Sequence, residues 1–86
     1  MDTIWMLMAR YEGLPIIPIE TVRKDYFSHL TLPKLLRKIA NTDIKLPIVK
    51  MEDSQKTAKG VHVQDLASYL DERTTQGRRE SELMHA

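Results

Sequence analysis

Eighty-six residues, 42% of them apolar and 29% charged, describe one small folded domain with room for a modest core, not a disordered chain. The absence of cysteine excludes a disulfide framework, a thiolate metal site and a thiol nucleophile. The net charge of +1 hides an asymmetry: residues 21–60 carry nine Lys/Arg against four acids, a net of +5, whereas residues 1–20 and 61–86 each come to −2. A basic middle between acidic flanks points to a local polyanion site.

The first apolar run, Ile4 to Ala9, is too short to span a bilayer and has no basic leader or cleavage site of a signal peptide. The expectation is a cytoplasmic chain without a membrane partner. Ile4, Leu7, Met8 and Tyr11 recur at helical spacing, and Gly13 supplies a C-terminal stop. Because Trp5, Met6 and Ala9 make the run apolar on every side, a buried strand stays open as the alternative for residues 3–11. Leu14-Pro15 and Ile17-Pro18 force extended backbone, since proline disfavours the helical region in the residue before it. Residues 1–18 therefore read as an apolar segment that packs on the core.

Pro18 precedes a helix from about Ile19 to Phe27, with Ile19, Val22, Tyr26 and Phe27 on its apolar face and Glu20 in the first turn. Ser28-His29-Leu30 breaks the chain. Thr31 is a good N-cap for a second helix reaching about Asn41, and Pro33 in its first turn loses no needed hydrogen bond. In that helix Lys34, Arg37, Lys38 and Asn41 fall at i, i+3, i+4 and i+7, while Leu32, Leu35, Leu36 and Ile39 fill the opposite arc. One side suits a core and the other suits a DNA groove. Two short helices joined by a few residues match helix-turn-helix spacing.

After the polar Asn41-Thr42-Asp43 stop, Leu46, Ile48 and Met51 read as a strand and Gly60-Val61-His62-Val63 as its return. The polar residues 52–59 between them make a long hairpin tip, a wing. A last helix is expected from about Gln64 to Arg73, with Val63, Leu66, Ala67 and Leu70 on one face. Residues 74–86 hold few apolar groups and read as a frayed tail or a short partner-binding helix. The order predicts a mainly α fold with a small β-hairpin, a winged helix-turn-helix over residues 19–73.

The segments Asp25-Tyr-Phe-Ser-His-Leu-Thr31, Leu35-Leu-Arg-Lys-Ile39 and Ser54-Gln-Lys-Thr-Ala-Lys-Gly-Val-His62 resemble the pyocin activator (PrtN) family of small bacterial and prophage regulators. Leu7-Met-Ala-Arg-Tyr11, Ile17-Pro-Ile-Glu20 and Asp65-Leu-Ala-Ser-Tyr-Leu-Asp71 fit the same family, so the resemblance covers about residues 3–73. It implies a sequence-specific transcriptional activator of bacteriocin or phage-tail-like gene clusters, and it places a matching Ser-Gln-Lys at the hairpin tip. More loosely, the architecture looks like the excisionase and MerR type of winged helix, which does not fix function.

Candidate roles follow from side-chain chemistry. Arg37 can bind guanine through two parallel hydrogen bonds and Asn41 can do the same for adenine, although asparagine is equally at home at a helix C-terminus. Lys38 lies beside Arg37, mid-helix on the exposed face; Lys34, near the helix start, suits a phosphate, Lys56 and Lys59 of the hairpin tip suit phosphates or a minor-groove edge, and Ser54 and Gln55 donate to backbone oxygens. Arg23 and Lys24 of the bracing helix, and His29 in the turn, are further backbone candidates. The three histidines lack metal-ligand spacing, there is no Ser/His/Asp constellation or glycine-rich phosphate loop, and no cofactor or enzyme activity is expected. Trp5, Tyr11, Tyr26, Phe27 and Tyr69 fall on apolar stripes and are expected in the core, while Leu66, Leu70 and Met84 could reach a second subunit.

The resulting expectation is a nucleoid-associated activator that binds double-stranded DNA as a homodimer and engages RNA polymerase. Two alternatives stay open: an excisionase-like architectural factor, and a phage-encoded protein-interaction module whose basic face meets an acidic partner.

Overall fold

The computed structural model describes residues 2–54 and 56–85. Among them the order is α1 (Thr3–Arg10), β1 (Ile16–Pro18), α2 (Ile19–Tyr26), α3 (Leu32–Ala40), β2 (Val49–Lys50), β3 (Lys59–His62) and α4 (Val63–His85). The chain is mainly helical, and its strands form one antiparallel sheet in the order β1-β3-β2.

The first segment is a helix, which decides between the two readings of residues 3–11. It buries Leu7, and the Tyr11 ring packs just past its end. Glu12 and Gly13 then take left-handed backbone, φ 55° and 76°, and the Gly13 N–H donates to the Met8 carbonyl at 2.8 Å. Gly13 thus ends the helix as its position implied. Trp5 does not join the core: it is 64% exposed, and Met6 beside it 57%. The surplus of apolar residues in this run exceeds what one helix face can bury.

The stretch with two prolines is not a mere connector but the strand β1. It pairs with β3 in the register Ile16↔His62, Ile17↔Val61 and Pro18↔Gly60. An edge strand tolerates Pro18, which has no N–H to contribute to the ladder. The hairpin partner β2 is shorter than the sequence pattern implied, pairing only Val49↔Gly60 and Lys50↔Lys59. Leu46 is buried, but in the loop before β2, while Met51 lies outside the core at 58% exposure.

Ile17, Val22, Leu35, Val61 and Leu66 are the fully buried centre, so β1, α2, α3, β3 and α4 each contribute one side chain to it. Complete burial of Leu66 overturns the expectation that it reaches a second subunit. The position that permits this packing is Gly60 in the middle strand. A Cβ placed there would lie 2.6 Å from Ile16 Cγ2 and 2.8 Å from the Ile17 carbonyl oxygen. Only a hydrogen fits between these two backbones.

Polar contacts fix the elements around that centre. The buried Tyr11 hydroxyl donates to Asp25 Oδ2 at 2.6 Å, and Arg10 pairs with the same carboxylate at 3.3 Å, tying the end of α1 to α2. Burial, and after it the Asp25 hydrogen bond, push the Tyr11 phenol well above its ordinary range. The Val63 N–H donates to the Pro15 carbonyl at 2.9 Å, and the Gln64 N–H donates to His62 Nδ1 at 3.0 Å, so His62 caps the start of α4. Phe27 and Tyr69 meet at 6.0 Å between ring centres, joining the end of α2 to α4.

The final helix does not stop near Arg73. It continues without a break to His85, and every residue from 71 to 85 is exposed. Its Arg, Glu, Gln, Leu and Met content favours helix even where no apolar face requires one.

Gly60→Ala tests the close approach in the sheet. The added methyl should cost about 1–3 kcal/mol as overpacking against backbone, read from denaturant unfolding. A change within a few tenths of a kcal/mol would mean that β1 and β3 are not held this closely.

Candidate nucleic-acid interface

α3 folds as its sequence dictates. Thr31 is the N-cap, its hydroxyl accepting the Lys34 N–H at 3.4 Å, and Pro33 stands in the first turn. Leu35 is fully buried and Leu32, Leu36 and Ile39 pack partly on the core, which turns Lys34, Arg37, Lys38 and Asn41 outward as exposed residues. The helix carries three cations and no acid. Asn41 is the C-cap residue, its N–H donating to the Arg37 carbonyl at 2.9 Å, and Thr42 turns the chain away with φ 60°.

The segment joining α2 to α3 is held by Arg23. Its Nε and Nη2 donate to Glu20 Oε1 at 2.9 and 2.7 Å, and its Nη1 donates to the Leu30 carbonyl at 3.0 Å. The guanidinium holds the Glu20 carboxyl below the usual carboxylate range, and that carboxylate raises the guanidinium further. All three donor atoms are thus engaged within the protein, so Arg23 braces the turn that aims α3. Lys24 and His29 are exposed, and the His29 ring lies 6.4 Å from Phe27.

In the hairpin tip, residues 51–54 and 56–58 are joined by local turn bonds. The Met51 N–H donates to the Ala58 carbonyl at 3.2 Å, the Glu52 N–H to Thr57 Oγ1 at 3.0 Å, and the Lys56 N–H to Ser54 Oγ at 3.1 Å. The Ser54 hydroxyl therefore already serves as an acceptor inside the turn. Ser54 and Lys56 are exposed and Lys59 is partly buried in β3. Gln55 lies outside the described residues.

α3 and the hairpin border a common groove of about 630 Å³. Leu36, Ile39 and Ala40 form its helix wall, residues 44–48 its floor, and Lys45, Lys50 and Lys59 line it. Lys45 and Lys50 were not singled out in the sequence, although both belong to the nine cations of the basic middle. No periodic pattern marks them, because one stands in an irregular loop and the other in a two-residue strand. Lys38 turns the other way. It lines a second hollow with His29, Tyr69, Asp43 and Arg73, on the side of the α2–α3 turn and α4. Of the α3 cations only Lys38 lines either hollow; Lys34 and Arg37 stand on the exposed face outside both.

Among the described residues there is no group of three or more His, Asp or Glu placed to hold a metal ion, and no helix long and apolar enough to cross a membrane. The described residues thus form a mainly helical fold with an exposed, cation-rich helix beside a short hairpin. The family model described as pyocin activator protein PrtN matches residues 3–77, and the chain belongs to that family. The family is one of regulators of pyocin expression, not of enzymes. Neither the curated proteins nor the solved structures gave a match.

The Arg23 brace has a testable consequence. Arg23→Lys keeps the charge but cannot reach Glu20 and the Leu30 carbonyl with one fork, so amide exchange through residues 28–34 should accelerate. Because the Glu20 pKa is depressed in the folded state, the brace contributes above the ordinary carboxylate range and is lost as pH falls through the depressed value. The wild type should therefore approach the exchange pattern of the variant on acidification. Identical exchange in both proteins at neutral pH would contradict the assignment.

Proposed function

We propose that this protein is a sequence-specific, DNA-binding transcriptional activator of winged helix-turn-helix design, with α3 as the helix that enters the major groove and the β2–β3 hairpin as the wing. The observation that carries the reading is the exposed face of α3, where Lys34, Arg37, Lys38 and Asn41 stand outward with no acid on the helix; Lys45, Lys50 and Lys59 stand near its apolar edge, around the groove shared with the hairpin. A helix with three cations and no acid meets the electrostatic requirement of a phosphate surface, and family membership supplies the regulatory role.

The roles divide along the helix. Arg37, mid-helix and exposed, reads guanine, and Asn41 reads adenine from the last turn. Lys34, next to the N-cap, fixes register on a phosphate. Lys45 and Lys50 join the set as groove-lining cations, with Lys59 beside them. Ser54, Gln55 and Lys56 contact the backbone from the tip, against the repulsion of Glu52 and Asp53 in the same turn. Lys24 and His29 are flanking phosphate contacts, His29 together with Lys38. Arg23 acts through the brace, holding the turn instead of touching DNA. Two copies on a repeated or palindromic site multiply a short readout. The activator works in the cytoplasm on nucleoid DNA, in contact with RNA polymerase.

Retardation of duplexes selected from a random pool tests this reading. Neutralising about four to six phosphates gives a slope of about −4 to −5 for log affinity against log salt. Arg37→Ala should cost about 1–3 kcal/mol and relax preference at one or two base pairs, whereas Lys56→Ala should weaken all sequences alike and flatten the slope by about one. Failure to retard any duplex at low salt would refute DNA binding and favour an acidic protein partner for the same face. Equal loss of specificity in both variants would contradict the division of roles.

A further inference from the structure

α3 carries more apolar side chains than its own core covers. Leu35 is sealed, whereas Leu36 and Ala40, about 100° or more around the helix from it, are half-buried and exposed. The hairpin does not close this edge. β2 pairs with β3 at two positions only, and the loop before it buries Ile44 and Leu46 but leaves Pro47 exposed and Ile48 half-buried. The result is the groove of about 630 Å³ between α3 and the hairpin, apolar along both the helix and the loop. A duplex accounts for half of it. Phosphates answer the lysines and leave the apolar floor without a partner.

The charge around the groove has one sign. Every charged residue that lines it is a lysine. Lys45 and Lys50 are exposed and make no ion pair among the described residues, and Lys59 stands beside them in β3. Asp43, close by in sequence, lines the hollows on the α4 side instead. Glu52 and Asp53 lie beyond β2 in the hairpin tip and do not line the groove.

We propose that this groove is the docking site for an acidic amphipathic helix of a partner protein. Its apolar side chains, three and four residues apart, fill the floor, and glutamates or aspartates on its flanks meet Lys45, Lys50 and Lys59. Charge complementarity selects this occupant. A neutral apolar segment leaves the ammonium groups unanswered, a basic one is repelled, and an acidic one without an apolar stripe leaves the floor uncovered. A helix fits better than a strand, because the free edge of β2 spans two residues, whereas the α3 wall accepts a second helix ridge into groove. This chain supplies no such segment itself. Trp5 and Met6 belong to α1, which holds no acid, and Leu83 and Met84 follow Arg78 and Arg79 as well as Glu80 and Glu82.

The inference does not rest on DNA binding, although helix and duplex share the three lysines and compete for them where both bind. The probe is a fluorescein-labelled synthetic helix of about four turns, with leucines along one stripe and glutamates on both flanks. Anisotropy follows its binding to the full chain, beside a twin with lysine for every glutamate and a scrambled peptide of the same composition. The glutamate helix should bind and the other two should not. Methyl shifts of the labelled protein should centre on Leu36, Ile39 and Ile48. Ala40→Trp, which fills the groove from an exposed position, should abolish binding. Lys45→Glu combined with Lys50→Glu should raise Kd by about tenfold or more. Arg37→Glu, outside the groove, should change it by less than about threefold at physiological salt. Circular dichroism serves as the control for folding. No binding, equal binding of either control peptide, or a loss in Arg37→Glu as large as in the double variant would each overturn the site. A wild type that self-associates in sedimentation, and ceases to in Ala40→Trp, would give the groove to a second copy and overturn the partner helix. Peptide binding without retardation of any duplex would sink the DNA reading alone; retardation without peptide binding would sink this one alone.

Discussion

The contact between β1 and β3 at Gly60 is the constraint on which the rest of the structure rests. A three-residue strand with two prolines nearby offers few hydrogen bonds, so its place depends on how closely the two backbones can approach. Gly60 removes the side chain that would keep them apart, and Ile17 and Val61, paired directly, are then sealed completely. Everything functional is hung on this sheet. α2 begins at the end of β1, the hairpin leaves from β3, and α4 starts where β3 ends. A small domain gains little from core volume, and here one missing Cβ replaces what a larger protein would obtain from a wider sheet.

From this frame the proposed DNA-binding elements inherit different degrees of rigidity. α3 is set by Leu35 beneath it and by the Arg23 fork that joins α2 to the turn before it. The hairpin tip is set only by local turn bonds. Such a division suits a recognition element whose bases must be read at fixed angles beside a second element that follows a variable backbone. The far half of α4 belongs to neither. Residues 71–85 are all exposed.

Much of this was legible in the residues. The threonine cap, the proline of the first turn and the four-three spacing located α3 to within a residue at each end, because cap chemistry and periodicity agreed. Mainly helical class, the bracing helix and the returning strand were equally plain. What escaped had physical reasons. β1 was hidden by its prolines, which argue against a strand unless it lies at an edge. The exposed Trp5 was hidden by a run with more apolar residues than one face can bury. The length of α4 was hidden because its far half lacks a core-facing stripe and carries two threonines, a glycine and a serine, which are poor helix signals. Lys45 and Lys50 became visible only once the loop after α3 folded back along it. Arg23 drew notice in the sequence by its charge alone; in the fold each of its three side-chain nitrogens donates to Glu20 or to the Leu30 carbonyl, a brace that no sequence pattern marks.

The central claim is that α3 and the hairpin grip a duplex together. Amide chemical-shift mapping of the labelled protein, titrated at low salt with a duplex of arbitrary sequence, tests it most directly, since phosphate contacts need no operator. The account predicts perturbations confined to residues 34–41, the 45–50 segment, the hairpin tip and the turn at residues 28–31. Perturbations centred on α1 or on the far half of α4, with α3 silent, would contradict it.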